Sequence, residues 1–336
     1  MWIPTHVSRS PRSFCAWART QQRWLGVALA GTAVFILSGC GASSSQGVTT
    51  PAWSKAVQIE HGQSRSVYSV SCPSATFCMA VDENGSALSL RGNRWSTPTS
   101  VTGGTTLSSI SCPSTTSCVA LTAGGEAVTF DGRSWSSQFP VEPPSGRFSV
   151  SCTARTFCAA VNADGSGSVL DGESWSVPVA IGGGSTPNRV RDVSCASSTF
   201  CAAVGPSGHV TAFDGMKWSI QQGSPAQPLV AISCPTTQFC NAITAGGDSV
   251  TFGGSKWSTP EGIPDPINGY SSISCPSAAF CMAVALNGAA STWLNGHWSK
   301  PFQVIHDGYS ATSSVSCTSS RFCVMVNSKG AAATYR

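Results

Sequence analysis

From residue 67 onward, small and apolar residues alternate with serine and threonine in short runs that come in sets of four. In the first set the runs are Val67 to Cys72, Phe77 to Val81, Ser86 to Leu90 and Arg94 to Val101. A period of two predicts β-strands. Val70, Cys72, Cys78 and Ala80 would share one face, and Ser69, Ser71, Phe77, Met79 and Val81 the other. A small face and a bulky face predict sheets stacked on both sides, with neither face left to water.

The set repeats with a fixed internal length. A C-x5-C pair is followed by a Trp lying 23 residues after its first Cys: Cys72 and Trp95, Cys112 and Trp135, Cys152 and Trp175, Cys195 and Trp218, Cys234 and Trp257, Cys275 and Trp298. A seventh pair, Cys317 and Cys323, has no Trp behind it, and Trp53-Ser54 stands alone ahead of the first unit. The two orphans complete each other. Seven units opened at one seam predict an all-β, seven-bladed β-propeller of four-stranded blades, its ring closed by a strand starting at Trp53. The recurrent Trp is expected between blades.

Gly stands 13 residues after the first Cys in every unit (Gly85, Gly125, Gly165, Gly208, Gly247, Gly288, Gly330), which predicts tight turns between second and third strands. Asp131-Gly132, Asp171-Gly172 and Asp214-Gly215 mark the turns between third and fourth strands.

Fourteen of the 16 cysteines pair within the repeat: Cys72 with Cys78, Cys112 with Cys118, Cys152 with Cys158, Cys195 with Cys201, Cys234 with Cys240, Cys275 with Cys281, and Cys317 with Cys323. Regular, even spacing in an exported chain predicts one disulfide per blade, bracketing the five-residue loop between first and second strands. Each pair has a blade to itself, with no second pair or partnering His beside it, so no metal site is expected, and no cofactor.

Export is indicated by residues 1–39. Arg9, Arg12, Arg19 and Arg23 precede an apolar run of 14 residues, Trp24 to Leu37, shorter than the about 20 needed to span a bilayer. Leu37-Ser38-Gly39-Cys40 follows, and this segment resembles a bacterial lipoprotein signal with its lipobox. The resemblance implies cleavage before Cys40 and lipidation of its thiol, hence a protein anchored on the extracytoplasmic side of the cell membrane. Residues 40–52 would be a tether of roughly 20 Å reach, and residues 53–336 the propeller. Removing the four leader arginines from 19 basic residues leaves 15, matching the 15 acidic ones. A neutral mature chain has no basic footprint for phosphates, so nucleic acid is not an expected partner. A monomer is expected.

The interval from each Trp to the next first Cys varies from 16 to 20 residues, so all length variation falls between the last strand of one blade and the first of the next. These connections are expected on the face that carries the glycine turns, with the disulfide hairpins opposite. The connections hold Arg65, Tyr68, Arg147, Arg189, Arg191, Asp192, Tyr270 and Tyr309, the ligand-binding candidates. Asp82 and Glu83 are expected on the same rim.

At Asp131-Gly132-Arg133-Ser134-Trp135 and Asp171-Gly172-Glu173-Ser174-Trp175 the chain resembles the Asp-box, or BNR, repeat of sialidase-type propellers, though with Asp and Gly adjacent. The resemblance implies a structural turn. It also raises a glycoside hydrolase as an alternative: Arg65, Arg147, Arg189 and Arg191 to hold a carboxylate, Tyr270 or Tyr68 as nucleophile, with Glu60 and Glu142 nearby in no recognisable pattern. The first expectation is a binding or scaffold propeller for a glycan, cell-wall polymer or protein, with no catalytic residue assigned.

Overall fold

The structure is a computed structural model that describes residues 51–60, 65–143, 147–181, 189–264, 269–306 and 311–336. Residues 1–50, with the expected leader and Cys40, lie outside the described residues, as does Tyr309. Thr49–Arg336 forms one compact unit of seven antiparallel sheets.

Each sheet is one blade. In blade 1 the strands Val67–Ser74, Phe77–Asp82, Ser86–Arg91 and Arg94–Trp95 pair in sequence order. The innermost strands of successive blades adjoin one another around the whole ring, Val67–Ser74 meeting both Leu107–Ser114 and Thr312–Ser319. The seam closes as expected: Val57–Gln58 pairs with Ala331–Tyr335, the outer side of the blade containing Cys317. Trp53 bridges Tyr335, and Ala52 and Arg336 exchange backbone hydrogen bonds of 2.7 and 3.1 Å.

All seven expected disulfides form, one in each blade: Cys72 with Cys78, Cys112 with Cys118, Cys152 with Cys158, Cys195 with Cys201, Cys234 with Cys240, Cys275 with Cys281, and Cys317 with Cys323. Their place differs from that of the hairpin loops they bracket. The second cysteine of every pair, namely Cys78, Cys118, Cys158, Cys201, Cys240, Cys281 and Cys323, is 0% exposed, so the bridges belong to the core and not to a functional face. The reason is the alternation itself: Cys78 shares the small face with Ala80, and Cys158 with Ala160, and that face is covered by the neighbouring blade. A buried bridge of this kind staples a hairpin and offers nothing to a ligand.

The interfaces follow the same pattern. Between blades 1 and 2, Phe77, Met79 and Val81 meet Ile110, Cys112, Cys118 and Ala120, and Trp135 packs against the cluster. The same bulky-on-small contact recurs between blades 7 and 1, where Trp95 joins Val70, Cys72, Cys78, Ala80, Phe322 and Val324. The recurrent Trp is thus an inter-blade residue throughout, and Trp53 fills that place between blades 6 and 7.

The outer strand is not the continuous Arg94 to Val101 run that the alternation predicts. It breaks after Trp95 and resumes at Thr99–Ser100 because one residue bulges out, and the same shift occurs in blade 2, where Gln138 stands at the position of Pro98, so the bulge does not depend on the proline. The Ser after the Trp repairs the gap. Ser96 N–H donates to the Ser89 carbonyl at 2.8 Å while Ser96 Oγ accepts the Ser89 N–H at 3.0 Å. Ser136, Ser176, Ser258, Ser299 and Ser54 do the same, which explains the Trp-Ser dipeptide. Blade 4 differs, and its outer strand Trp218–Ile220 pairs without a bulge.

A second serine links blades. The hydroxyl of the Ser just before each first Cys accepts the N–H of the first Cys in the next blade at 2.9–3.0 Å, from Ser71 to Cys112 and on around to Ser316 and Cys72. Seven such bonds run round the inside of the ring and tie each inner strand to the next.

Candidate functional site

The two faces differ as expected. On one, the disulfide hairpins abut the outer turns, with Gly92 N–H on the Thr76 carbonyl and Gly172 N–H on that of Thr156. On the other, the variable connections fold over the glycine turns: Val141 and Glu142 both donate backbone N–H groups to the Gly125 carbonyl, at 2.9 and 3.0 Å. Gly125 has φ 86°, and a Cβ there would strike the Glu142 carbonyl, so glycine is required twice over.

On this face a concavity of about 450 Å³ lies between blades 4 and 5. Arg191 and Pro206 line it from blade 4, Gln227, Pro228, Leu229 and Val230 from the connection into blade 5, and Thr244, Gly246 and Asp248 from the blade 5 turn. The shortest Trp-to-Cys interval, 16 residues from Trp218 to Cys234, is the one that crosses it. Ala226, just ahead of Gln227, is held at φ 55° in the left-handed region, a backbone strain at the edge of the groove.

Arg191 is exposed, and burial of part of its guanidinium pulls its proton affinity down. Arg147 adds repulsion in the same direction, and Asp192 opposes both. The structure therefore brings Arg147, Arg191 and Asp192 together from blades 3 and 4. Asp192 is half-buried in the inner strand Asp192–Ser197, where the other blades place a serine or alanine. Its Oδ2 accepts the Ile232 N–H at 2.9 Å, and its Oδ1 accepts the Ser149 hydroxyl at 2.7 Å and the Val193 N–H at 3.0 Å. Burial still pushes its carboxyl up to about 6 against these donors.

The remaining candidates scatter. Arg65 is half-buried, Arg189 and Tyr68 are exposed, and Tyr68 lies in blade 1. Tyr270 is a correction to the rim assignment. It is 2% exposed, packs with Ile263, Trp293 and Trp298, and shares a 2.7 Å hydrogen bond with the Ser291 hydroxyl. Burial raises its phenol above the usual tyrosine range, with the Ser291 bond opposing, so the hydroxyl is held neutral. It stands five residues before Cys275, the slot that holds Val67, Leu107 and Leu229 in other blades, and that spacing was the available signal.

Asp82 is likewise buried rather than on the rim, and Glu60 and Glu142 lie beneath the connections. Pro206, Gln227, Pro228 and Thr244 escaped the sequence reading because no motif marks them. Among the described residues no group of three or more His, Cys, Asp or Glu is placed to hold a metal.

No protein-family profile matches the chain, and no curated protein sequence is similar to it. Solved structures are. YCF48 bound to D1 peptide aligns with TM-score 0.66 at 16% identity, covering 84% of this chain and 96% of that one. The WD40 β-propeller domain of Doa1 aligns at 0.69 and 12% identity, covering 86% and 97%. Virginiamycin B lyase from Staphylococcus aureus aligns at 0.72 and 7% identity, covering 85% and 99%. At such identities the likeness establishes the fold: this chain is a seven-bladed β-propeller.

Proposed function

We propose that this protein is a binding propeller, held at the extracytoplasmic side of the membrane by a lipidated Cys40, that takes its ligand on the variable face in the groove between blades 4 and 5. The observation that carries the reading is the groove itself: a concavity of about 450 Å³ with Arg191 at its wall, on the one face where the blades differ. A partly desolvated guanidinium crowded by Arg147 gains most from an anionic group, so the ligand is an acidic glycan, wall polymer or protein segment. One of the similar structures, YCF48 bound to D1 peptide, supports a binding role for such a scaffold.

The hydrolase alternative loses one of its two candidate nucleophiles in Tyr270, whose hydroxyl is buried on Ser291, leaving the exposed Tyr68, and Glu142 is occupied by hydrogen bonds within the fold. A binding screen of acidic and neutral glycans, wall polymers and peptides tests the proposal. Arg191→Ala should weaken the acidic hit about tenfold or more, while Ser74→Ala and Ser114→Ala on the disulfide face leave it unchanged. Turnover of a fluorogenic sialoside would favour the enzyme instead. Cys40→Ala should move the protein out of the membrane fraction or leave an uncleaved precursor, and normal partitioning of that variant would sink the anchor.

A further inference from the structure

Two blades carry a glutamate under the connection that leaves their outer strand, and the two seats are built from equivalent positions of the next blade. Glu142 is fully served in its seat. Its Oε2 accepts the Asn162 amide at 3.3 Å and the Ser166 hydroxyl at 2.6 Å, and its Oε1 accepts the Ser168 hydroxyl at 2.6 Å. Asn162 is itself aligned by the Asp164 and Ser166 N–H groups, each 3.0 Å from its Oδ1.

Glu60 occupies the corresponding seat at the seam, directly after Ile59, whose N–H bonds the Gly330 carbonyl at 2.8 Å. Counted from the first Cys of each blade, Asp82 stands where Asn162 does, Ser86 where Ser166 does and Leu88 where Ser168 does. Asp82 is aligned in the same way, its Oδ1 accepting the Asn84 and Ser86 N–H groups at 2.9 and 2.7 Å. Its other oxygen is then an acceptor where Asn162 offers a donor, and Leu88 offers nothing. Glu60 is 1% exposed and Asp82 0% exposed, and both Glu60 oxygens and Asp82 Oδ2 are buried without a hydrogen-bond partner.

Three buried acceptors with no donor cannot all carry their full charge, because desolvating an unpaired carboxylate costs far more than protonating it. Glu83 on the same turn adds negative charge, and Arg65 on the connection into blade 1 opposes it. Lys329 lies on the adjoining turn of blade 7, where its carbonyl accepts the Gln58 side-chain amide. His61 follows Glu60 in sequence and lies outside the described residues. A hard divalent cation would want six or more oxygens, and among the described residues no third acidic, His or Cys side chain is placed to join these two.

We propose that the seam of the ring is a proton-operated latch, in which one proton held on Glu60 beside Asp82 lets the closing strand seat against blade 1, and release of that proton to solvent at rising pH loosens it. Burial, reinforced by the charge of Asp82, pushes the Glu60 carboxyl from 4.5 up to about 7. A carboxyl raised in the folded state holds a proton that the unfolded chain has lost. Its stabilising contribution is complete below about 4.5, falls as pH rises and is gone once pH passes about 7. Asp192, raised only to about 6, has finished most of its titration before this range ends.

The test uses the full chain in mild detergent, with melting temperature and amide exchange at Val57–Ile59 read at pH 6 and pH 8. The wild type should melt lower at pH 8, and exchange at the seam should speed up about tenfold beyond the intrinsic pH effect, the change in protonation expected for a group near 7. Asp82→Asn copies the arrangement around Glu142. It should raise the melting temperature at pH 8 and abolish most of the pH difference, as should Glu60→Gln. Burial raises Glu142 as well, against its Ser166 and Ser168 donors, so Glu142→Gln should remove less of the pH difference than Glu60→Gln or Asp82→Asn. If Asp82→Asn folds and keeps the wild-type pH difference, the latch is wrong. Restoration of the wild type at pH 8 by calcium, reversed by chelation, would also overturn it and assign the seat to a cation. None of these readouts depends on Cys40 or on the groove, so a failed latch leaves the binding proposal standing, and the reverse.

Discussion

At the scale of single residues, the inner serines and Asp192 show how polar side chains hold a propeller together from within. Two tiers of Oγ acceptors take N–H groups from the next blade, one on Cys112 at 2.9 Å and the other on Ile110 at 3.3 Å, for example. In the second tier Asp192 replaces serine and carries three donors. Asp192→Ala would leave the Ile232 N–H and the Ser149 hydroxyl without it, at an expected cost of about 1–3 kcal/mol, measurable by chemical denaturation. Because its carboxyl is raised from 3.8 to about 6, its contribution is largest below 3.8 and lost as pH rises through 6. Asp192→Ser should therefore flatten the stability profile between pH 4 and 6. That Asp192 meets Ser149 could not be read along the chain, since they lie 43 residues apart on different blades.

Among the elements, the outer strand carries the most specific local chemistry. The Trp fills the inter-blade wedge, the Ser restores the ladder across the bulge, and Pro98, Pro178, Pro260 or Pro301 stands just ahead of the resumed pairing in four blades. Trp298, 7% exposed between blades 5 and 6, should cost about 3–5 kcal/mol on change to Ala. Ser136→Ala removes the acceptor of the Thr129 N–H, and about 1 kcal/mol is expected. Thermal melts of the two variants side by side give the ratio. The Trp-Ser pair was visible as a repeat, but the bulge was not, because alternation over Arg94 to Val101 looks the same whether or not one residue loops out.

For the whole molecule, closure decides stability. Residues 53–59 supply Trp53 to the interface of blades 6 and 7 and pair Val57–Gln58 with Ala331–Tyr335. Deleting them strips the outer edge of blade 7 and leaves Tyr335 uncovered. A clear fall in melting temperature is expected, against little change on deleting 41–50, and equal values for the two deletions would mean that the seam contributes nothing. Closure also places Glu60 against Asp82, so the stability of the ring and its response to pH are predicted to share one location.

The blade count, the disulfide pairs, the place of the Trp and the identity of the closing strand were all determined by the sequence itself. Each is a short-range signal repeated up to seven times, and repetition removes the ambiguity that one copy would leave. The tertiary structure alone decided that Tyr270 is buried, that Glu60 and Asp82 are buried within reach of each other's charge with three oxygens lacking a donor, that Arg147 and Arg191 converge and that a groove opens between blades 4 and 5. Those facts depend on which bulge shifts a register by one residue and on how far each blade is turned against the next. Such relations between side chains about 40 residues apart leave no mark on the periodicity of either segment.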